Sequence, residues 1–191
     1  MADDGTPVPR FVLKKTVAMV GMMGAGKTAV GRAVAARLGV AFTDSDAEIE
    51  AAANLTVPEI FARDGERFFR KRETEVIARL LDSECCILST GGGAFLTQEN
   101  RQNISARGVS VWLNADLGLL WKRVRYKETR PLLQTRDPLA TLTAIYETRV
   151  PIYALADLAV PCAANLTIEA MAMRVIDVLL TRPDVLEKRD D

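Results

Sequence analysis

Gly21-Met22-Met23-Gly24-Ala25-Gly26-Lys27-Thr28, GMMGAGKT in one-letter code, fits the spacing G-x-x-x-x-G-K-[ST] that wraps a nucleotide's phosphate chain. Phosphate oxygens are met there by backbone N–H groups at distances where bulky side chains would collide, and glycine permits the approach. Lys27 brings a compact cation to the β- and γ-phosphates, and Thr28 offers a hydroxyl to Mg²⁺. The helix opening at this point turns its positive dipole end toward the anion. The flanks agree: Thr16-Val17-Ala18-Met19-Val20 reads as a short buried strand, and Val30, Val34 and Leu38 recur at helical spacing. Strand, loop and helix in that order make the stretch a phosphate loop for a nucleoside triphosphate.

Working outward, the chain alternates strand and helix signals. Strands are expected at Thr16 to Val20, Ala41 to Thr43, Cys85 to Ser89, Val109 to Leu113 and Asp157 to Val160, with helical patterns in most of the intervals. That alternation predicts an α/β fold with a five-stranded parallel sheet, and the non-alternating apolar strands fit a sheet covered by helices on both faces. Helices are expected from about Asp116 to Arg125, from Pro138 to Thr148 with an end near Arg149-Val150-Pro151, and from Thr167 to Leu180 with capping side chains at Asn165 and Thr167. Between them, Tyr126 to Leu133 is a charged segment ending in Arg130-Pro131-Leu132-Leu133, which suits a mobile lid. The first ten or so residues and the charged run from Glu187 to Asp191 read as frayed ends.

At 191 residues one domain is expected, residues 1–191 with a core of about 15–180, long enough to bury its core without disulfides or metal. The 49% hydrophobic and 26% charged content is that of an ordinary globular chain, and no apolar run is long enough to span a bilayer. The acidic, polar MADDGTPVPR lacks the regions of a secretory signal, so cytoplasmic residence is expected. Cys85, Cys86 and Cys162 are an odd number without metal spacing and read as reduced, buried thiols. The 25 basic and 25 acidic residues balance, which gives no reason to expect nucleic acid or a membrane as partner. No apolar patch is evident, so a monomer is expected. Histidine is absent, which leaves proton transfer to Asp or Glu.

In a parallel sheet ligands bind at the carboxyl ends of the strands, and here each of the first three expected strands ends in something chemically pointed. The phosphate loop follows the first, Asp44-Ser45-Asp46 the second, and Gly91-Gly92-Gly93 the third. Beside a triphosphate, one carboxylate can assist Mg²⁺ through its water shell and the other can accept a hydroxyl proton, although Asp46 also suits the cap of a helix from Ala47 to Ala53. Arg67, Arg70, Lys71, Arg72 and Arg79 crowd a helix with Glu66, Glu73 and Glu75, and most of these charges read as a solvated face. One of those arginines could take an anionic substrate in a bidentate pair, and spacing does not say which. The triple glycine lets backbone amides approach a ligand, Arg130 could carry charge to a transferring phosphoryl group when a lid closes, and Arg149 could bind an anion or satisfy a helix C-terminus.

GMMGAGKT, FTDSD, FFRKRE, STGGGAF, RPLL and RVPIY, in that order from Val17 to Leu180, closely resemble the motifs of shikimate kinases. The phosphate loop alone would cover many unrelated NTPases, whereas the joint order is far more specific. The resemblance implies a three-layer P-loop fold like that of nucleoside monophosphate kinases, with a lid, and ATP-dependent phosphorylation of the 3-hydroxyl of shikimate on the way to chorismate and the aromatic amino acids. It implies a phosphate cradle of Gly24, Ala25, Gly26, Lys27, Thr28 and Ala29, Mg²⁺ at Thr28 and Asp44, and Asp46 as base on the substrate hydroxyl. Arg70 and Arg149 match the arginines that hold the shikimate carboxylate, Gly92 the glycine that touches substrate, Arg130 the lid arginine on ATP, and Arg123 the residue laid over adenine. The loop from Pro161 to Asn165 lacks the arginine that some members carry there. A kinase of another metabolite, such as gluconate, would share the phosphate loop but would not need two arginines for a carboxylate beside a triple glycine.

Overall fold

The computed structural model of the chain describes residues 11–126 and 133–189. Its strands are β1 (Phe11–Leu13), β2 (Thr16–Val20), β3 (Phe42–Asp44), β4 (Ile87–Ser89), β5 (Gly108–Asn114), β6 (Leu158–Pro161) and β7 (Leu186–Lys188). Its α-helices are α1 (Lys27–Leu38), α2 (Ser45–Ala53), α3 (Val57–Leu81), α4 (Gln98–Arg107), α5 (Leu117–Val124), α6 (Pro138–Tyr153) and α7 (Ile168–Leu179). Five strands pair in the order β3-β4-β2-β5-β6, every pair parallel, so all their carboxyl ends reach one edge. This is the expected α/β fold, with each predicted strand found within two residues of its expected ends.

The central strand explains why the sheet forms where it does. All five residues of β2 are buried, with Val17 opposite Ile87 on β4 and Val109 on β5, because helices cover both faces and leave no side for a polar residue. Met19, Val34, Ile87, Leu113, Leu120, Leu142 and Val175 belong to one continuous core drawn from sheet and helices. A second, smaller cluster lies apart from it, where Ile49 on α2 meets Ile60 and Phe69 on α3 with Phe61, Phe68 and Val76 packed around them. The rings of Phe61 and Phe69 stand 4.8 Å apart and tilted, a favourable aromatic arrangement. Within α3 the helical path breaks at Gly65, whose φ of 83° lies in the left-handed region.

Three local expectations need correction. Helix α6 does not stop at Thr148 but runs through Pro151 to Tyr153. Proline's fixed φ suits a helix and the loss is one N–H donor, while Ala154 N–H still bonds Val150 O at 2.9 Å and buried Tyr153 anchors the last turn. The C-terminal run is not frayed as far as Lys188: β7 pairs antiparallel with β1, Phe11 opposite Lys188, and Val185 and Leu186 are buried beneath them. Asp46 does not cap α2. That helix begins at Ser45, and Asp44 Oδ1 accepts from the N–H groups of Asp46 at 3.0 Å and Ala47 at 3.3 Å. Residues 1–10, 190, 191 and the segment 127–132 with the expected lid arginine Arg130 lie outside the described residues.

Candidate active site

A cleft of about 650 Å³ opens at the carboxyl edge of the sheet. It is lined by Gly24 through Val30, Asp44, Asp46, Ser89 through Gly92, Arg123 and the start of α7, so the three expected strand-end clusters meet in one place. At Gly24 and Gly26 φ is 80° and 99°, values that an L side chain rarely adopts, and this bends the loop into a cradle before α1 begins at Lys27. Lys27 Nζ donates to the carbonyls of Gly21 at 2.9 Å and Met22 at 3.1 Å, which folds the lysine back along the loop. Thr28 Oγ1 donates to Asp44 Oδ2 at 3.3 Å and lies 3.2 Å from Ser89 Oγ. Asp44 therefore serves α2 with one oxygen and faces Thr28 with the other.

Asp46 projects into the cleft from the first turn of α2. Its Oδ1 is buried and finds no hydrogen-bond partner among the described residues. Burial raises its pKa, as does the charge of Asp44, while Lys27 and Arg70 pull the other way. An acceptor oxygen at this spot is poised for a donor from outside the protein.

The side of the cleft around Asp46 is assembled from distant segments. Arg70 on α3 donates to Glu73 Oε2 at 2.8 Å and reaches Glu66 at 3.4 Å. Glu73 is not the solvated helix charge that its spacing suggested: its side chain is 0% exposed, and its Oε1 has no partner among the described residues. Burial pushes its carboxyl up to about 7, against the opposing pull of Arg70. Of the remaining charges, Arg72 pairs with Glu75 and Arg79 with Glu48 on α2, both on the exposed face.

The outer two of the three glycines are required by what surrounds them. A Cβ on Gly91 would stand 2.8 Å from Asp46 Oδ1 and 3.2 Å from Glu73 Oε1, and one on Gly93 would overlap the Arg70 guanidinium. Gly92 has Arg149 Nη1 3.7 Å from the corresponding point, and its carbonyl accepts a hydrogen bond from Tyr153. Arg70 and Arg149 do not line the cleft themselves but flank this turn. The turn continues into a 3₁₀ segment, Ala94–Leu96, whose carbonyls α4 secures: Asn100 Nδ2 donates to Ala94 O at 2.9 Å, and Arg101 Nη1 to Phe95 O and Leu96 O at 2.8 Å.

Arg123 on α5 lies beside the glycine-rich loop, where Nη1 donates to the carbonyls of Gly24 and Ala25 at 3.1 Å each. Leu166, Thr167, Ile168 and Met171 also line the cleft, so the start of α7 supplies wall where the loop from Pro161 to Asn165 lacks an arginine. Thr167 caps that helix as expected, accepting from Ala170 N–H at 3.1 Å. Ser89, Glu73 and Tyr153 are the residues here that spacing did not single out. Glu73 three residues after Arg70 and Tyr153 four after Arg149 are the signals that could have found two of them. Cys86 is buried while Cys85 and Cys162 are half-buried, all as free thiols.

Comparison with known proteins adds an independent view. The family model described as shikimate kinase matches residues 23–180. A shikimate kinase of Ruegeria pomeroyi is 67% identical over 175 residues, 92% of this chain and 90% of that one. A shikimate kinase of Cereibacter sphaeroides is 63% identical over 92% of this chain and 87% of its own length. Among solved structures, the shikimate kinase from Acinetobacter baumannii in complex with shikimate superposes with a TM-score of 0.81 at 36% identity, over 87% of this chain and 93% of that one.

Proposed function

The chain belongs to the shikimate kinase family, and on that premise we propose how its residues divide the transfer of the ATP γ-phosphoryl group to the 3-hydroxyl of shikimate, giving shikimate 3-phosphate and ADP. Gly24 to Ala29 wrap the phosphates, and Lys27 leaves the loop carbonyls to meet the β- and γ-oxygens. Asp46 receives the hydroxyl proton and aims the oxygen at phosphorus; its burial and its raised pKa suit an acceptor of that proton. Arg70 and Arg149 hold the shikimate carboxylate at either side of the glycine turn, and Gly92 lets the ring approach. Arg130, outside the described residues, brings positive charge to the transferring group as a lid arginine.

Thr28 Oγ1, Asp44 Oδ2 and Ser89 Oγ form an all-oxygen cluster with a single carboxylate, which fits Mg²⁺, an ion that keeps waters and takes few protein ligands. Thr28 would hold it directly and Asp44 beside or through water. When bound, Mg²⁺ neutralises charge on the β- and γ-phosphates. We further propose that the chain works as one domain, as a monomer and in the cytoplasm. Among the described residues no helix is long and apolar enough to cross a membrane.

The observation that carries the proposal is Asp46: a buried carboxylate oxygen without a partner among the described residues, lining the same cleft as Lys27 and Thr28. Asp46→Asn keeps the shape and removes the base. With shikimate and MgATP in a coupled ADP-release assay, it should bind ATP normally and lose about 10²–10⁴-fold in kcat. Undiminished turnover would take Asp46 out of the reaction.

A further inference from the structure

Tyr153 ends α6, is fully buried, and has no role in the division of labour above. It stands one turn after Arg149, so both side chains leave the same face of the helix, and this holds only because α6 continues through Pro151. Its hydroxyl donates to the carbonyl of Gly92, the middle residue of the acceptor turn. Arg149 lies close enough to this hydroxyl to act on it electrostatically, and its Nη1 stands 3.7 Å from where a Cβ on Gly92 would be. Arg149, Tyr153 and Gly92 are thus close neighbours in a triangle, with the phenol proton donating to the Gly92 peptide and the guanidinium beside both. Burial and the two nearby arginines oppose each other on the phenol, which stays a donor through the physiological range.

We propose that the Tyr153 hydroxyl is a positioning group for acceptor binding, locking the Gly92 peptide to Arg149 so that the carboxylate site and the glycine turn present themselves as one unit. This rests on the reading that Arg149 and Gly92 contact shikimate. Three consecutive glycines cost more conformational entropy to order than any other tripeptide, and an external tether removes that cost before substrate arrives. A tether reaching the turn from the helix that carries the carboxylate ligand also fixes the spacing between the two contacts. Nucleotide binding, on the other side of the cleft, does not depend on it.

The test is Tyr153→Phe, which deletes the hydroxyl and keeps the buried ring, measured with shikimate and ATP varied separately and beside Arg149→Lys. Tyr153→Phe should raise the shikimate KM roughly fivefold to twentyfold while the ATP KM stays within about twofold. In the double variant the two effects should fall short of their product, because each breaks the same triangle. A lower melting temperature with both KM values unchanged, or an equal rise in both, would mean a purely structural hydroxyl and overturn the proposal. So would multiplicative effects in the double variant. If Arg149→Lys leaves the shikimate KM unchanged, the reading of Arg149 as a carboxylate ligand falls and the proposal with it. If Arg149→Lys raises that KM and Tyr153→Phe does not, the proposal alone falls.

Discussion

The nucleotide side and the acceptor side of the cleft meet at one sheet edge but are built by different means. On the nucleotide side the essential geometry comes from consecutive residues, Gly21 to Thr28, whose backbone is bent by positive φ at Gly24 and Gly26 and braced by β2 beneath. On the acceptor side Asp46, Arg70, Glu73, the Gly91–Gly93 turn and Arg149 come from α2, α3, the end of β4 and α6. The supports differ too. The phosphate loop stands on the main core, whereas α2 and the start of α3 rest on the small cluster around Ile49, Ile60 and Phe69. A lobe with fewer buried contacts opens at lower cost, so α2 and the start of α3 are better equipped to move than the phosphate loop. In the proposed division, the phosphate chain common to every ATP is met by a fixed backbone, and the acceptor by side chains that only the fold brings together.

The widest split between the halves should come from removing one cation on each. Lys27→Ala takes away charge that counts most as the phosphoryl group transfers, and kcat should fall by about 10³-fold. Arg70→Ala should instead raise the shikimate KM by roughly 50-fold, the loss of one charge-assisted pair worth about 2–3 kcal/mol, with the ATP KM nearly unchanged. Initial rates over a grid of both substrates separate the two. Equal damage to both KM values by Arg70→Ala would dissolve the distinction between the halves.

The same difference governs what could be read before the fold was known. Local patterns sufficed for the phosphate loop and the five strands, because spacing along the chain is spacing in space within one strand or turn. The role of Asp44 as cap of α2 hung on where the helix starts, a matter of two residues that Asp44-Ser45-Asp46 leaves open. Glu73 looked like one more acid on a charged helix, since its burial depends on Gly91, which approaches from another element. Pro151 suggested a helix end, yet α6 runs on to Tyr153, whose burial depends on tertiary packing. The strand pair of β1 and β7 joins the two ends of the chain, a contact that no local pattern encodes.

Glu73 offers a smaller effect, confined to the acceptor side. Its carboxyl is held near 7 against an ordinary 4.5, chiefly by burial, with Asp46 and Glu66 adding to the rise and Arg70 opposing it. The folded protein therefore binds this proton more tightly than the unfolded chain does. The stability it confers is complete below its unfolded value of 4.5 and is lost as pH rises through about 7. Urea unfolding should show wild-type stability falling by about 2 kcal/mol more than that of Glu73→Gln between roughly pH 5 and pH 8. Parallel pH profiles for the two proteins would mean that Glu73 stays ionised throughout and is fully matched by Arg70.

Arg123 marks the limit of the comparison, because it shows that the nucleotide side is not wholly local. Its guanidinium comes from α5, 99 and 98 residues further along the chain, to hold the carbonyls of Gly24 and Ala25. Pinning those carbonyls, while Ala25 N–H donates to Met22 O at 3.1 Å, fixes the shape of the loop itself, so the clamp should act on any polyphosphate, with or without a base. Family resemblance gives Arg123 a different task, a contact over adenine. Inorganic tripolyphosphate separates the two, since it carries the phosphates and nothing else. If the clamp matters, Arg123→Gln should weaken tripolyphosphate and ATP alike, by about fivefold for one charged donor shared between two carbonyls. If only the base contact matters, calorimetric titration should find ATP weakened and tripolyphosphate untouched, and the phosphate loop would then be as self-contained as its sequence suggests.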